Sequence, residues 1–236
     1  MIRKLFIFAL LFNLTACVEL QEVVNNLPQG GGSVLSNTDI ASGLRQALDL
    51  GIDKQVTKLT QKDGFFTNEL VKIVLPEELR KVDKGLRDIG LEKLADEGLK
   101  ILNRAAEEAV KEAKPIFVNA VKGMTFDDAK NILLGNDKAA TNYLTSKTQT
   151  DLYNKFQPVI NSSFEKVGAD KIWANLINTY NAIPFTNNVN TNLTDYVTGE
   201  ALKGVYTMIA IEEKKIRTNV SSRSTDLLKK VFALQD

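Results

Sequence analysis

From Asn37 to Phe232 the apolar residues recur three and four positions apart, the spacing that gathers them on one face of an α-helix. Ile40, Leu44, Ala47, Leu48, Val56 and Leu59 make a first stripe, with Asn37 or Thr38 placed to cap it. The strongest stripe is Leu99, Leu102, Ala105, Ala106, Ala109, Val110 and Ala113. Its alanines imply close approach by a neighbouring helix, because small side chains shorten the interaxial distance. Pro115 is expected to kink or interrupt it before Ile116, Phe117, Ala120 and Val121 carry the pattern to Gly123. Leu152, Phe156, Val159, Ile160, Phe164 and Val167 form a third stripe, interrupted by Pro158. Leu202, Val205, Met208, Ile209 and Ile216 form a fourth, on a long helix over 193–217. With no βαβ alternation and no internal repeat, the expected fold is all-α: one irregular bundle of about eight to ten helices.

Turn and cap residues divide these stripes. Lys62 to Phe66 reads as a turn in which Gly64 is free to take a positive φ. Val71 to Leu75 is a short apolar run compatible with strand or helix. Pro76 opens a helix with Glu77 and Glu78 in its first turn, and Gly90 ends it. Thr125 to Asp128 has the form of a capping box for a helix ending at Gly135, and Thr148 to Asp151 has the same form. Asp170 is placed to cap a helix through Trp173 that ends near Pro184. Ser224 or Thr225 caps a last helix that turns Leu227, Leu228, Val231 and Phe232 inward.

The N-terminus carries a different signal. Arg3 and Lys4 precede an apolar stretch from Leu5 to Leu14, about half the roughly twenty residues a membrane span needs. Leu14, Thr15, Ala16 and Cys17 follow, and Cys17 is the only cysteine in the chain. The pattern resembles the lipobox of bacterial lipoprotein signal peptides. That resemblance implies cleavage after Ala16, a diacylglyceryl group on the Cys17 thiol and acylation, such as palmitate, of the new amino terminus. It divides the chain into a signal peptide (1–16), a lipidated cysteine with a flexible tether (17–36) that includes Gly30, Gly31 and Gly32, and a helical domain (37–236). At about 0.8 kcal/mol per buried methylene, two or three acyl chains hold a protein at a membrane stably. Val18 rather than an aspartate follows the cysteine. In a cell with two membranes that resemblance favours the outer one, with periplasm or exterior as the domain's compartment.

Asp63-Gly64-Phe65, Ile73-Val74-Leu75-Pro76 and Asn103-Arg104-Ala105-Ala106-Glu107 are joined by further segments: Met124 to Ala129, Tyr196-Val197-Thr198, Glu212-Glu213 with Ile216-Arg217, and Leu227 to Phe232. In this order and spacing, from about Thr38 to Phe232, they resemble a bacterial family of secreted proteins and lipoproteins known only as domain of unknown function four-one-nine-seven. The resemblance implies a single helical domain in the cell envelope and transfers no activity.

Composition narrows the chemistry. The chain has no histidine, which removes the commonest general base and metal ligand and every serine–histidine or cysteine–histidine dyad. Loss of the leader with Arg3 and Lys4 leaves 28 basic residues against 29 acidic ones, without the basic excess that nucleic acid requires. No phosphate-binding glycine loop, nucleophile elbow or dinucleotide fingerprint is present, and no cofactor is implied.

Two polar groups remain as candidate sites. Asn103 and Arg104 lie beside the inward stripe, with Glu107 and Glu108 three and four residues beyond Arg104, at salt-bridge spacing. Glu212, Glu213 and Arg217 form the second group, with Glu213 and Arg217 again four apart. If their helices pack, the charges meet in a partly buried cluster. Such a cluster is either a site, in which Arg104 and Arg217 hold an anion while Glu107 and Glu213 serve as acid and base, or a structural ion-pair network. Asp127 and Asp128 are explained by a helix N-terminus without a metal. Trp173, Tyr180 and Phe185, near the asparagine-rich loop 187–192, are core residues or a stacking rim.

The expectation is therefore a lipid-anchored, non-enzymatic module that binds an envelope protein, a lipid or a small ligand. The alternative is a carboxylate-dependent hydrolase acting on an envelope polymer such as peptidoglycan, since paired carboxylates work without histidine.

Overall fold

Apolar periodicity is realised as helix in every stripe. The computed structural model describes residues 35–235 apart from 78–79, 170, 172–173, 176–177, 179–180, 183, 186–187 and 189–191. The expected signal peptide (1–16), Cys17 and most of the expected tether lie outside the described residues, as do Asp170, Trp173 and Tyr180.

The chain runs α1 (Asn37–Leu59), α2 (Arg80–Asp88), α3 (Glu92–Val110), α4 (Ala113–Lys122), α5 (Phe126–Leu133), α6 (Ala139–Glu165), α7 (Leu193–Thr218) and α8 (Asp226–Phe232). No strand occurs among the described residues. Among the described residues seven helices have eight residues or more, slightly fewer than the eight to ten expected, and α8 adds one of seven residues. No described helix is long and apolar enough to cross a membrane.

The long helices α6 and α7 pack along one another, and α3 packs against both. On the other side α1 lies against α4, α5, α7 and α8. Phe117, Phe156 and Phe164 are fully buried, each worth about 1.5–3 kcal/mol against exposure. Phe117 meets Tyr206 edge-on with ring centres 6.0 Å apart, and the Tyr206 hydroxyl reaches Thr148 Oγ1 at 2.7 Å.

Several local expectations change on packing. Thr148 starts no helix: it is buried inside α6, and its hydroxyl donates to the Leu144 carbonyl. Pro158 also lies within α6, which continues to Glu165, whereas Val167 is past the helix end and exposed. Pro115 is the third residue of α4, in the first turn, where a missing N–H costs nothing. The break falls just before it, between Val110 and Ala113. Val71 to Leu75 is neither strand nor helix. In the turn before it Asp63, not Gly64, takes the positive φ, 62°. Gly64 is required for space, since a Cβ there would sit 2.5 Å from the Lys58 carbonyl oxygen and 2.7 Å from that of Leu59.

Two caps agree with the sequence. Thr125 accepts from the Asp128 amide, and Asp128 returns a bond to the Thr125 amide at 2.9 Å, closing the capping box of α5. That bond, the largest influence on Asp128, holds its carboxyl below the usual aspartate value. Asp128 is thus engaged in the cap, and Asp127 lies beside it in the first turn of α5. Thr225 caps α8 by accepting from the Leu228 amide.

Candidate functional site

The first polar group is a clasp between α3 and the irregular segment 60–76. Asn103, fully buried, accepts from the Ile73 amide at 2.8 Å and donates back to the Ile73 carbonyl at 2.8 Å and to the Leu99 carbonyl at 2.7 Å. A carboxamide has both a donor and an acceptor side, so it pairs with a peptide group as a neighbouring strand would. One turn along, Glu107 is 4% exposed and receives the amides of Asp63 at 3.3 Å and Phe65 at 3.2 Å, one on each carboxylate oxygen. Burial pushes its carboxyl above the usual glutamate value, while the two amides, Phe65 first, pull the other way.

Arg104 does not turn along its own helix to Glu107 or Glu108. It reaches across to Asp63, 3.5 Å away, and Glu108 pairs instead with Lys111 at the exposed end of the helix. Phe65 locks the segment from the other side. It is fully buried against α7 at Gly204, where a Cβ would stand 2.7 Å from its ring. The Tyr196 hydroxyl, also on α7, donates to the Val74 carbonyl at 2.6 Å.

The second group joins three helices through α7. Glu213 accepts from the amides of Ala140 (2.9 Å) and Thr141 (2.8 Å) and from the Thr141 hydroxyl (2.7 Å), filling the N-terminus of α6. Arg217, one turn further, donates to Glu213 Oε1 from Nε at 3.0 Å and from Nη2 at 2.9 Å. It also donates to the carbonyls of Ile132 at 2.7 Å and Leu133 at 3.2 Å, at the end of α5. The anion therefore caps a helix start and the cation a helix end, each at the pole of the dipole that favours it. Glu212 faces α1, accepting from Gln55 at 2.8 Å and Lys54 at 2.5 Å.

The two groups stay separate. Among the described residues no hydrogen bond or ion pair joins Arg104 or Glu107 to Glu213 or Arg217. A cavity beside Glu212, Glu213 and Arg217, walled by Leu48, Ile209, Ile216 and Phe232, has a volume of about 30 Å³. That is room for about two waters, an order of magnitude below a typical substrate pocket. The open groove over the turn at Asp63 is larger, about 390 Å³, and is lined by Lys58, Gln61, Lys62, Thr67, Glu69 and Leu70.

Arg223 is the buried charge that sequence reading missed. It is 2% exposed, donates to the carbonyls of Ile216 and Arg217, and lies 5.7 Å from the Phe232 ring. A single arginine between two helices carries no pattern that would distinguish it from a solvated one. Phe185, the described member of the proposed aromatic rim, is fully exposed at a positive φ of 68°.

The clasp is built from Asp63-Gly64-Phe65, Ile73 to Pro76, Asn103 to Glu107 and Tyr196, four of the segments on which the family resemblance rested. No curated protein and no solved structure gives a significant match to this chain. One family model does match, described as "Protein of unknown function (DUF4197)", over residues 34–233. A match across most of the chain makes this protein a member of the DUF4197 family.

Proposed function

We propose that this protein is a lipid-anchored, non-enzymatic interaction module of the bacterial cell envelope. It is held through Cys17 and engages its partner with its surface rather than a reaction pocket. The observation that carries this reading is the commitment of the candidate catalytic carboxylates. Both oxygens of Glu107 face main-chain amides, and Glu213 is filled by two amides, a hydroxyl and Arg217. A general acid must present its proton to substrate; these carboxylates instead accept hydrogen bonds from the fold. The hydrolase alternative needs two carboxylates facing a shared opening, and the two are held in separate networks.

The location rests on the lipobox-like residues Leu14 to Cys17. In a cell with two membranes, Val18 after the cysteine favours the outer membrane. The test is fractionation of cells expressing wild type or Cys17→Ser, with mass spectrometry of the N-terminus. Wild type is expected in the membrane fraction with an acylated Cys17, and the variant outside it. An unmodified Cys17 would sink the anchor. Loss of cell-wall cleavage in a well-folded Glu107→Gln protein would sink the non-enzymatic reading.

A further inference from the structure

Segment 60–76 has no regular secondary structure, and its length exceeds the ~12–15 residues at which irregular loops inside domains become uncommon and usually functional. It is nevertheless rigidly held. Asn103 and Glu107, two of the most deeply buried polar residues, are both spent on its main chain, and Phe65 is wedged at Gly204. Buried polar groups add little stability compared with well-packed apolar ones. What they add here is one fixed shape for a surface loop, the property expected of a preorganised binding surface.

The charges on that surface are sorted. Asp63 turns its Oδ1 inward, buried and facing Arg104 at 3.5 Å, so its charge is compensated inside. Lys58 and Lys62 are exposed on the groove and have no ion-pair partner among the described residues. Glu69 is the one outward acid among the residues lining it. On the same segment, outside the groove lining, Lys72 and Lys100 lie 4.4 Å and 5.4 Å from the ring of Phe66. Asp96, near both, is engaged by Arg87 at 2.8 Å. With Asp63 paired to Arg104, the groove lining sets two lysines against Glu69, a small local positive excess on a chain that is close to neutral overall. Leu70, 66% exposed, supplies an apolar contact on the groove rim.

From this arrangement we infer that the groove over the Asp63 turn docks an acidic peptide segment of a protein partner. Lys58 and Lys62 meet its carboxylates, and Leu70 takes an apolar side chain. The inference deepens the interaction-module reading and rests on it. A peptide is favoured over a phosphate group for two reasons. Arg104 is paired with Asp63 across 3.5 Å and does not line the groove, so the cations that do, Lys58 and Lys62, are point charges without the bidentate fork that suits phosphate. The exposed Gln61 carboxamide on the rim offers both a donor and an acceptor, which matches a peptide group and not an acceptor-only phosphate.

The test pans a random peptide library against the purified full-length protein in detergent, then measures enriched peptides by fluorescence anisotropy. Enriched sequences are expected to carry aspartate or glutamate beside leucine or isoleucine. Lys58→Glu/Lys62→Glu is expected to weaken them roughly tenfold or more, with a steep salt dependence. Leu70→Ser should weaken them too. Lys229→Glu/Lys230→Glu, on the exposed side of α8, should leave binding unchanged. Both pairs are exposed, and unchanged melting curves would show that the variants fold. The proposal is overturned by the absence of enrichment, by enriched peptides without acids, or by equal weakening in both double variants. It is also overturned if phosphatidylglycerol vesicles bind through Lys58 and Lys62 while acidic peptides do not, which would assign the groove to a lipid surface. The peptide outcomes do not depend on Cys17, and the vesicle comparison is made on Cys17→Ser protein, so failure of the anchor and failure of the groove are separately visible.

Discussion

Arg217 Nη2 lies 2.9 Å from Glu213 Oε1, and both side chains are about 95% withdrawn from water. The pair is one turn of α7, but its other bonds leave that helix in two directions, to the start of α6 and to the end of α5. It therefore fixes the connection between those two helices from the outside of both. Neither charge is available as a ligand-binding group without opening two helix termini.

Removing one member of this pair strands the other. Glu213→Gln leaves the Arg217 charge buried without its counterion, at an expected cost of about 3–5 kcal/mol. Glu213→Gln/Arg217→Met is expected to be less destabilised than the sum of the single variants, because no buried charge remains. Urea titrations of the four proteins measure the coupling. Additive costs would show that the pair does not act as a unit.

The clasp at Asn103 depends on having a donor and an acceptor together. Asn103→Asp keeps the shape but places a carboxylate oxygen against the carbonyls of Ile73 and Leu99. With a buried acceptor left facing acceptors, the expected loss is about 2–4 kcal/mol. Hydrogen exchange should accelerate at Ile73 and its neighbours more than in α6. Uniform acceleration across the bundle would mean that Asn103 supports the whole core rather than the segment.

Gly204 tests the same segment by size. Gly204→Ala places a methyl 2.7 Å from the Phe65 ring, and overpacking of this kind costs about 1–3 kcal/mol. A compensating Phe65→Leu change is expected to recover part of that loss. A neutral Gly204→Ala protein would show that Phe65 has room to retreat.

Acidity acts on two carboxyls with opposite sign. Burial raises the Glu107 carboxyl, so the folded chain holds that proton more tightly than the unfolded one. Its contribution to stability is fully present below the ordinary glutamate value and is lost as pH rises through the folded one. Asp128, held low by the Thr125 amide, contributes above the ordinary aspartate value and loses that contribution as pH falls through its folded one. The melting temperature of wild type minus that of Glu107→Gln should therefore rise between about pH 7 and about pH 5, above the reference carboxyl values. A difference that falls over that interval would contradict the burial of Glu107. Thr125→Ala should cost about 1 kcal/mol at neutral pH through loss of the cap.

Helix identity was legible in the order of residues because it depends on neighbours three and four apart. The stripe through Leu99, Leu102, Ala105 and Ala109 is buried as read, and the Thr125 and Thr225 caps sit where their sequence pattern placed them. Thr148 followed by Asp151 has the same local pattern, yet α6 runs through it. There the burial of Leu144, Leu152 and Phe156 on one continuous face outweighs a capping bond worth about 1 kcal/mol.

The candidate polar residues were legible as a set, but their partners were not. Spacing along a helix suggested that Arg104 would pair with Glu107 or Glu108, and left open whether the two charged groups meet. Tertiary structure instead gave Arg104 to Asp63, Glu107 to the turn at Phe65, and Glu213 with Arg217 to two helix ends. The reason is physical: a buried charge is satisfied by whatever unpaired main-chain group the fold brings to it. Sequence alone determined that this chain is helical, which faces are buried and which residues are polar beside them. Only the packing of distant segments decided that those polar residues hold the fold together, while an irregular loop, itself without periodic signal, forms the ordered surface.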